Sequence, residues 1–241
     1  MGNLATNLQE TAGQYPLYPA LRGGGDVLSY ADLDDLSGRV AGGLHAHGVR
    51  AGDTVGLMVP HGAWLAVLYY GVLRIGAGAV LLGCDLTSED VGRRLAASEA
   101  RLLFSGKAPP RADAEIAVGR DFLDQVAQWP LRADIAYRND KDLAVLRYDE
   151  DDTHLVFARS LTHGALRAQA FTTATAALDL EPGDVVIGCP PAAAVGGVCC
   201  LNATVLAGAC LLIPDLDAVA DGEGAAAHVG PCTGTGHVKG W

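Results

Sequence analysis

The sequence predicts an α/β fold in which mostly parallel sheets are covered by helices on both faces. Three observations carry that expectation. Short apolar runs without alternation, such as "DTVGLMVP" (53–60), "AGAVLLG" (77–83) and "DVVIG" (184–188), suit strands buried on both sides. Longer segments with helical spacing and legible ends separate those runs. Half of the 241 residues are hydrophobic and only 19% are charged, enough apolar surface for a sizeable core.

The elements follow in order. "MGNLATNLQE" suits a short amphipathic helix; lacking a basic start and a long apolar run, it is not expected to be a secretory leader. In "VLSYADLDDLSGRVAGGLHAHG", Ser29 and Asp32 stand as a capping box. Leu33, Leu36, Val40 and Leu44 then form the apolar stripe, and Gly48 fits the stop. A strand at 53–60 ends in Pro60, and "GAWLAVLYYGVLRIG" is an apolar helix closed by Gly76. After the strand at 77–83, "TSEDVGRRLAASEA" is a helix whose capping box is Thr87 and Asp90, and "RLLFSG" is a strand. Residues 106–150 are less regular and are expected to be an irregular connection, with "GKAPPRADAE" and the acidic "RYDEDD" as surface loops around a short strand and helix. Alternation resumes with "THLVFA" as a strand, "ALRAQAFTTATAAL" as a helix and "DVVIG" as a strand. A helix over 198–207 and a strand over 209–213 follow. Residues 1–220 are read as one domain, and the Gly- and Ala-rich 221–241 as a loosely ordered tail.

Composition excludes several functions. A net charge of −11 argues against a nucleic acid as partner, because phosphate backbones are bound through an excess of Lys and Arg. Residues 185–214 carry no charge, and 195–213 among them are long enough to span a bilayer. Pro190, Pro191, Gly196 and Gly197 interrupt them, which favours a buried helix and strand over a membrane span. The six cysteines form no C-x-x-C pair and are read as reduced thiols of a cytoplasmic protein. His45 and His47 stand two apart on a helix, a poor metal pair, so no metal site is expected. Abundant Ala, Gly and Val suit a bacterial source.

The candidate site lies in "FARSLTHGALRAQAF" (157–171). Ser160, Thr162, Gly164 and Arg167 supply two hydroxyls, a glycine and a cation where a strand is expected to turn through a loop into a helix. Such groups at a helix N-terminus can cradle phosphate oxygens.

Taken together the segments resemble the opening of the AMP-forming adenylate ligases, the superfamily of acyl-CoA synthetases, luciferases and peptide-synthetase adenylation domains. "LSYADL" is similar to that family's "LTYAEL", "GVRAGDTVGL" to "GVxPGDRVAL", and "YYGVLRIGA" to "YYGVLRAGA". The likeness covers about residues 3–106 and 151–217, and "LTSEDVGRRLAASEAR" favours the acyl-CoA synthetase branch. Leu81 and Cys84 replace prolines of the family's "VPLNP".

The resemblance implies a large N-terminal domain related to ATP-dependent carboxylate activation, with ATP or AMP and CoA as cofactors and Mg entering only with nucleotide. It implies that "ARSLTHGALRA" descends from the phosphate-binding loop Y-T-S-G-T-T-G-x-P-K-G. In that register Ser160, Thr162, Gly164 and Arg167 match, while Leu161, His163, Leu166 and Ala168 replace Gly, Thr, Pro and Gly. Ala193 stands where the acyl-CoA synthetases carry a pocket histidine. The adenine, ribose and C-terminal lysine motifs of the family lie beyond Trp241. The chain is therefore expected to be catalytically impaired or inactive alone, or to be a non-catalytic module acting through a partner. Sheet edges left uncovered imply a homodimer or another protein partner.

Overall fold

The computed structural model describes residues 2–23, 26–60, 62–106, 115–119, 122–150, 156–188, 194–213 and 237–238. Helix α1 (Ala5–Gln14) leads into strands β1 (Pro19–Gly23) and β2 (Asp26–Ser29), then α2 (Tyr30–Ala46), β3 (Thr54–Met58) and α3 (Ala63–Arg74). β4 (Gly78–Leu81), α4 (Ser88–Ala97), β5 (Ala100–Ser105), β6 (Glu115–Ala117) and α5 (Phe122–Ala127) follow. The chain continues through β7 (Leu143–Glu150), β8 (Val156–Thr162), α6 (His163–Thr172) and a π-helical turn at Thr173–Ala177. It closes with β9 (Val185–Ile187), α7 (Ala194–Ala207), β10 (Cys210–Leu212) and β11 (His237–Val238). The α/β class expected from the sequence is the one observed, with its mostly parallel ladders. The chain divides into two compact units, and each sheet belongs to one of them.

The first unit holds the six-stranded sheet β6-β5-β3-β4-β7-β8. All its ladders are parallel except the last, where β7 and β8 run antiparallel. Val55 to Met58 of β3 and the whole of β4 are buried at consecutive positions. Since neighbouring residues point to opposite faces, both faces are covered there, as the unbroken apolar runs require. Met58, Val80, Leu82, Val91 and Leu103 form one core cluster, against which Leu95, Leu146 and Tyr148 pack. The capping box of α4 forms as expected: Thr87 Oγ1 accepts the Asp90 N–H at 3.2 Å and donates to the Asp90 carboxylate at 2.6 Å. Gly76 closes α3 at φ +80°, a conformation that only glycine adopts without strain.

The second unit holds the five-stranded sheet β11-β9-β10-β1-β2. Its centre is pinned by Tyr30, fully buried, whose hydroxyl sits 3.0 Å from the Thr204 carbonyl and 2.6 Å from that of Ala209. Thr11 Oγ1 donates to the Val205 carbonyl at 2.8 Å. The uncharged stretch becomes α7 and β10, and no described helix is long and apolar enough to cross a membrane. Of the expected loose tail, only His237 and Val238 are described, paired antiparallel with β9; the rest lies outside the described residues. Ala193 also lies outside them.

Two expectations need correction. Within 106–150, β7 is an eight-residue strand hydrogen-bonded on both sides, to β4 and β8, not part of an irregular connection. The expected strand over 153–158 runs on to Thr162 and passes into α6 without an intervening loop. In both places cross-strand pairing supplies what the local pattern does not announce.

Candidate functional site

The structure places the four candidate residues in a strand and a helix. Ser160 is exposed in β8, paired across the ladder with Leu146, and Thr162 is the last strand residue, paired with Leu143. Gly164 and Arg167 lie in α6. The boundary of the two units falls between Ala165 and Leu166, so Ser160, Thr162 and Gly164 belong to the first unit and the half-buried Arg167 to the second.

The start of α6 is satisfied from within the chain. A helix N-terminus offers free N–H groups to an anion only while they lack acceptors. Here the His163 N–H donates to the Asp142 carbonyl at 3.1 Å and the Gly164 N–H to the Asp140 carbonyl at 2.9 Å. Ala165 N–H donates to Thr162 Oγ1 at 3.2 Å, so this hydroxyl is an N-cap. His163 is fully buried, and its Nδ1 accepts the Leu4 N–H at 3.1 Å. Gly164 is needed for close packing: a Cβ there would stand 2.8 Å from Asp140 Cβ and 2.9 Å from its carbonyl oxygen. The first three N–H groups of α6 are thus already bonded within the chain.

The β7–β8 hairpin shows what reasoning from Ser160 missed. Read from Tyr148 without a gap, the phosphate-loop pattern falls on "YDEDDTHLVFA", where only Tyr148 and Thr153 match. Asp149, Glu150, Asp151 and Asp152 take the Thr-Ser-Gly-Thr positions, and residues 151–155 between the strands lie outside the described ones. Tyr148 turns toward α4, its hydroxyl donating to the Arg94 carbonyl at 2.9 Å, with the Arg94 guanidinium 5.4 Å from the ring centre. On the opposite face, Asp149 Oδ2 is 2.9 Å from Arg147 Nη2 and 3.1 Å from Arg159 Nε.

Comparison with known proteins gives a consistent result. A family model described as AMP-binding enzyme matches residues 8–153. Feruloyl-CoA synthase of an Amycolatopsis species is 34% identical over 158 residues, 63% of this chain and 31% of that protein. The 3-hydroxybenzoate–CoA ligase of Aromatoleum sp. (strain CIB) is 35% identical over 86 residues, 36% of this chain and 16% of the other. The chain thus spans less than a third of the length of these curated relatives. Among solved structures, the inhibitor-bound N-terminal domain of FACL13 from Mycobacterium tuberculosis superposes with a TM-score of 0.80 at 21% identity, covering 91% of this chain and 59% of that one. ATP-bound MatB from Rhodopseudomonas palustris gives 0.80 at 24% identity, covering 92% and 47%. Both likenesses are of fold.

Proposed function

The chain belongs to the AMP-binding enzyme family, and from that premise we propose that it is an acyl-CoA-ligase-like module related to ATP-dependent carboxylate activation that does not adenylate a carboxylate by itself. Family membership brings ATP or AMP and CoA into consideration in general terms. The observation that carries the proposal is the capped start of α6, where Asp140, Asp142 and Thr162 accept the N–H groups of Gly164, His163 and Ala165. Adenylation requires the carboxylate and the α-phosphate to be held together while preset donors stabilise the developing charge. A junction whose donors are spent supplies little of that. If a carboxylate is handled at all, the names of the relatives, feruloyl-CoA synthase and 3-hydroxybenzoate–CoA ligase, favour an aromatic one.

A second reading is a non-catalytic module that acts through a protein partner, either a second copy or another chain. It is favoured by β8, which among the described residues is an edge strand of its sheet and whose residues Val156 to Ser160 are all exposed. Cys84, Cys199, Cys200 and Cys210 are thiols outside any disulfide, which suits a reducing cytoplasm as the setting for either reading.

Carboxylate-dependent pyrophosphate exchange, run on the chain with ferulate, coumarate and hydroxybenzoates, tests the proposal. The expected result is no exchange above the carboxylate-free background. Robust exchange with any of these acids overturns it.

A further inference from the structure

We propose that Asp149 is a built-in anion that occupies Arg147 and Arg159 and keeps polyphosphate off the β7–β8 hairpin. Arg147 and Arg159 stand directly opposite each other in the antiparallel ladder. Residues so paired project to the same face, where like charges repel. Asp149, two residues further along β7, reaches that same face. Its Oδ2 lies 2.9 Å from Arg147 Nη2 and 3.1 Å from Arg159 Nε, so two guanidinium groups converge on one carboxylate oxygen. Arg147 Nε is buried without a hydrogen bond, and the Arg159 guanidinium lies 6.0 Å from the centre of the Phe157 ring.

Two convergent guanidinium groups are the chemistry that recognises an oxyanion such as phosphate. Here the oxyanion is supplied by the chain itself. The side chains of Arg147 and Asp149 are 26% and 22% exposed and that of Arg159 is 53%, so a small anion can reach the cluster from solvent. Asp149 itself is acceptor-only when ionised, so it competes with an incoming anion for the same donors. With Asp149 ionised, an incoming polyphosphate meets a carboxylate already seated between the cations. Without it, two positive charges face solvent.

The test titrates inorganic pyrophosphate into the full chain by calorimetry, comparing the native protein with Asp149→Asn and with Asp149→Asn/Arg159→Gln. Asparagine keeps the shape and one acceptor while removing the charge. Asp149→Asn is expected to bind pyrophosphate at least about tenfold more tightly than the native chain, with affinity that falls as salt is added. The double substitution is expected to lose that gain. Asp149→Thr carries the same expectation and suits a strand, so a fold lost in one variant does not shield the proposal. Equal affinity in the native chain and a folded variant overturns it, as does a gain that survives Arg159→Gln. The inference takes from the function proposed above only the choice of polyphosphate as probe. Its readout is binding, so exchange activity in the native chain would sink that function and leave this ranking to the titration.

Discussion

At the scale of single residues, Tyr30 shows how one buried polar atom fixes a unit and ties its stability to pH. Its hydroxyl can donate to one carbonyl at a time and serves those of Thr204 and Ala209 in the second unit. Tyr30→Phe keeps the packing and leaves these carbonyls short of a donor. The expected cost is about 1–2 kcal/mol in chemical denaturation, moderated because the Thr204 carbonyl also accepts the Ala209 N–H. Burial pushes the Tyr30 phenol well above its ordinary value, with nearby Cys210 adding in the same direction. The folded state therefore keeps a proton that the unfolded chain releases above about pH 10. This contribution is fully present below that pH and is lost as pH rises through the folded value. Burial also raises the Cys210 thiol, against an opposing pull from Arg22, so the net sign is the same. Stability measured from pH 8 upward should fall less steeply in Tyr30→Phe than in the native chain, the residual slope including Cys210. An identical alkaline slope in both proteins would show that Tyr30 ionisation is not linked to folding.

At the scale of elements, legibility followed whether the signal was local. The capping boxes at Ser29/Asp32 and Thr87/Asp90 are made by residues three apart, and both form. Strands β3, β4 and β5 are buried apolar runs and sit where the sequence puts them. β1, β2 and β6 have three to five residues each and exist through pairing with neighbours distant in sequence or across a turn, which no local pattern displays. β7 misled because its outer half, "RYDE", sets Arg147 and Asp149 on one face and looks like a loop until Arg159 is placed opposite. The candidate site shows the same dependence on pairing. Ser160 and Thr162 have the composition of a phosphate loop, but strand pairing and an N-cap absorb them. Gly164 was legible as special, though for packing against Asp140 and not for an anion. Gly164→Ala is accordingly expected to destabilise the protein by about 1–3 kcal/mol, because a Cβ at 2.9 Å from a backbone oxygen forces the 139–142 turn away from α6. Thermal unfolding checks this. An unchanged midpoint would mean that the turn yields freely and that the three internal caps at the helix start are weak.

At the scale of the whole molecule, the open question is what meets β8. Mean charge does not favour self-association, since the chain carries a net −11, but repulsion spread over the surface is screened beyond about 8 Å at physiological salt. Edge strands are ordinarily blunted by shortness, bulges or inward charge. β8 is seven residues long, and at its exposed start Val156 and Phe157 keep 42% and 39% of their surface in solvent. Its one cation, Arg159, is held by Asp149 and so guards the edge less than a free lysine would. Sedimentation velocity at tens of micromolar is therefore expected to give a mass above that of a 24.8 kDa monomer. Phe157→Lys, which puts a charge on the edge without touching the core cluster, should return the protein to monomer with its melting temperature within a few degrees of native. A native chain that sediments as one monomeric species removes the second copy as the partner of this edge. An assembly that persists in Phe157→Lys moves the contact to another surface.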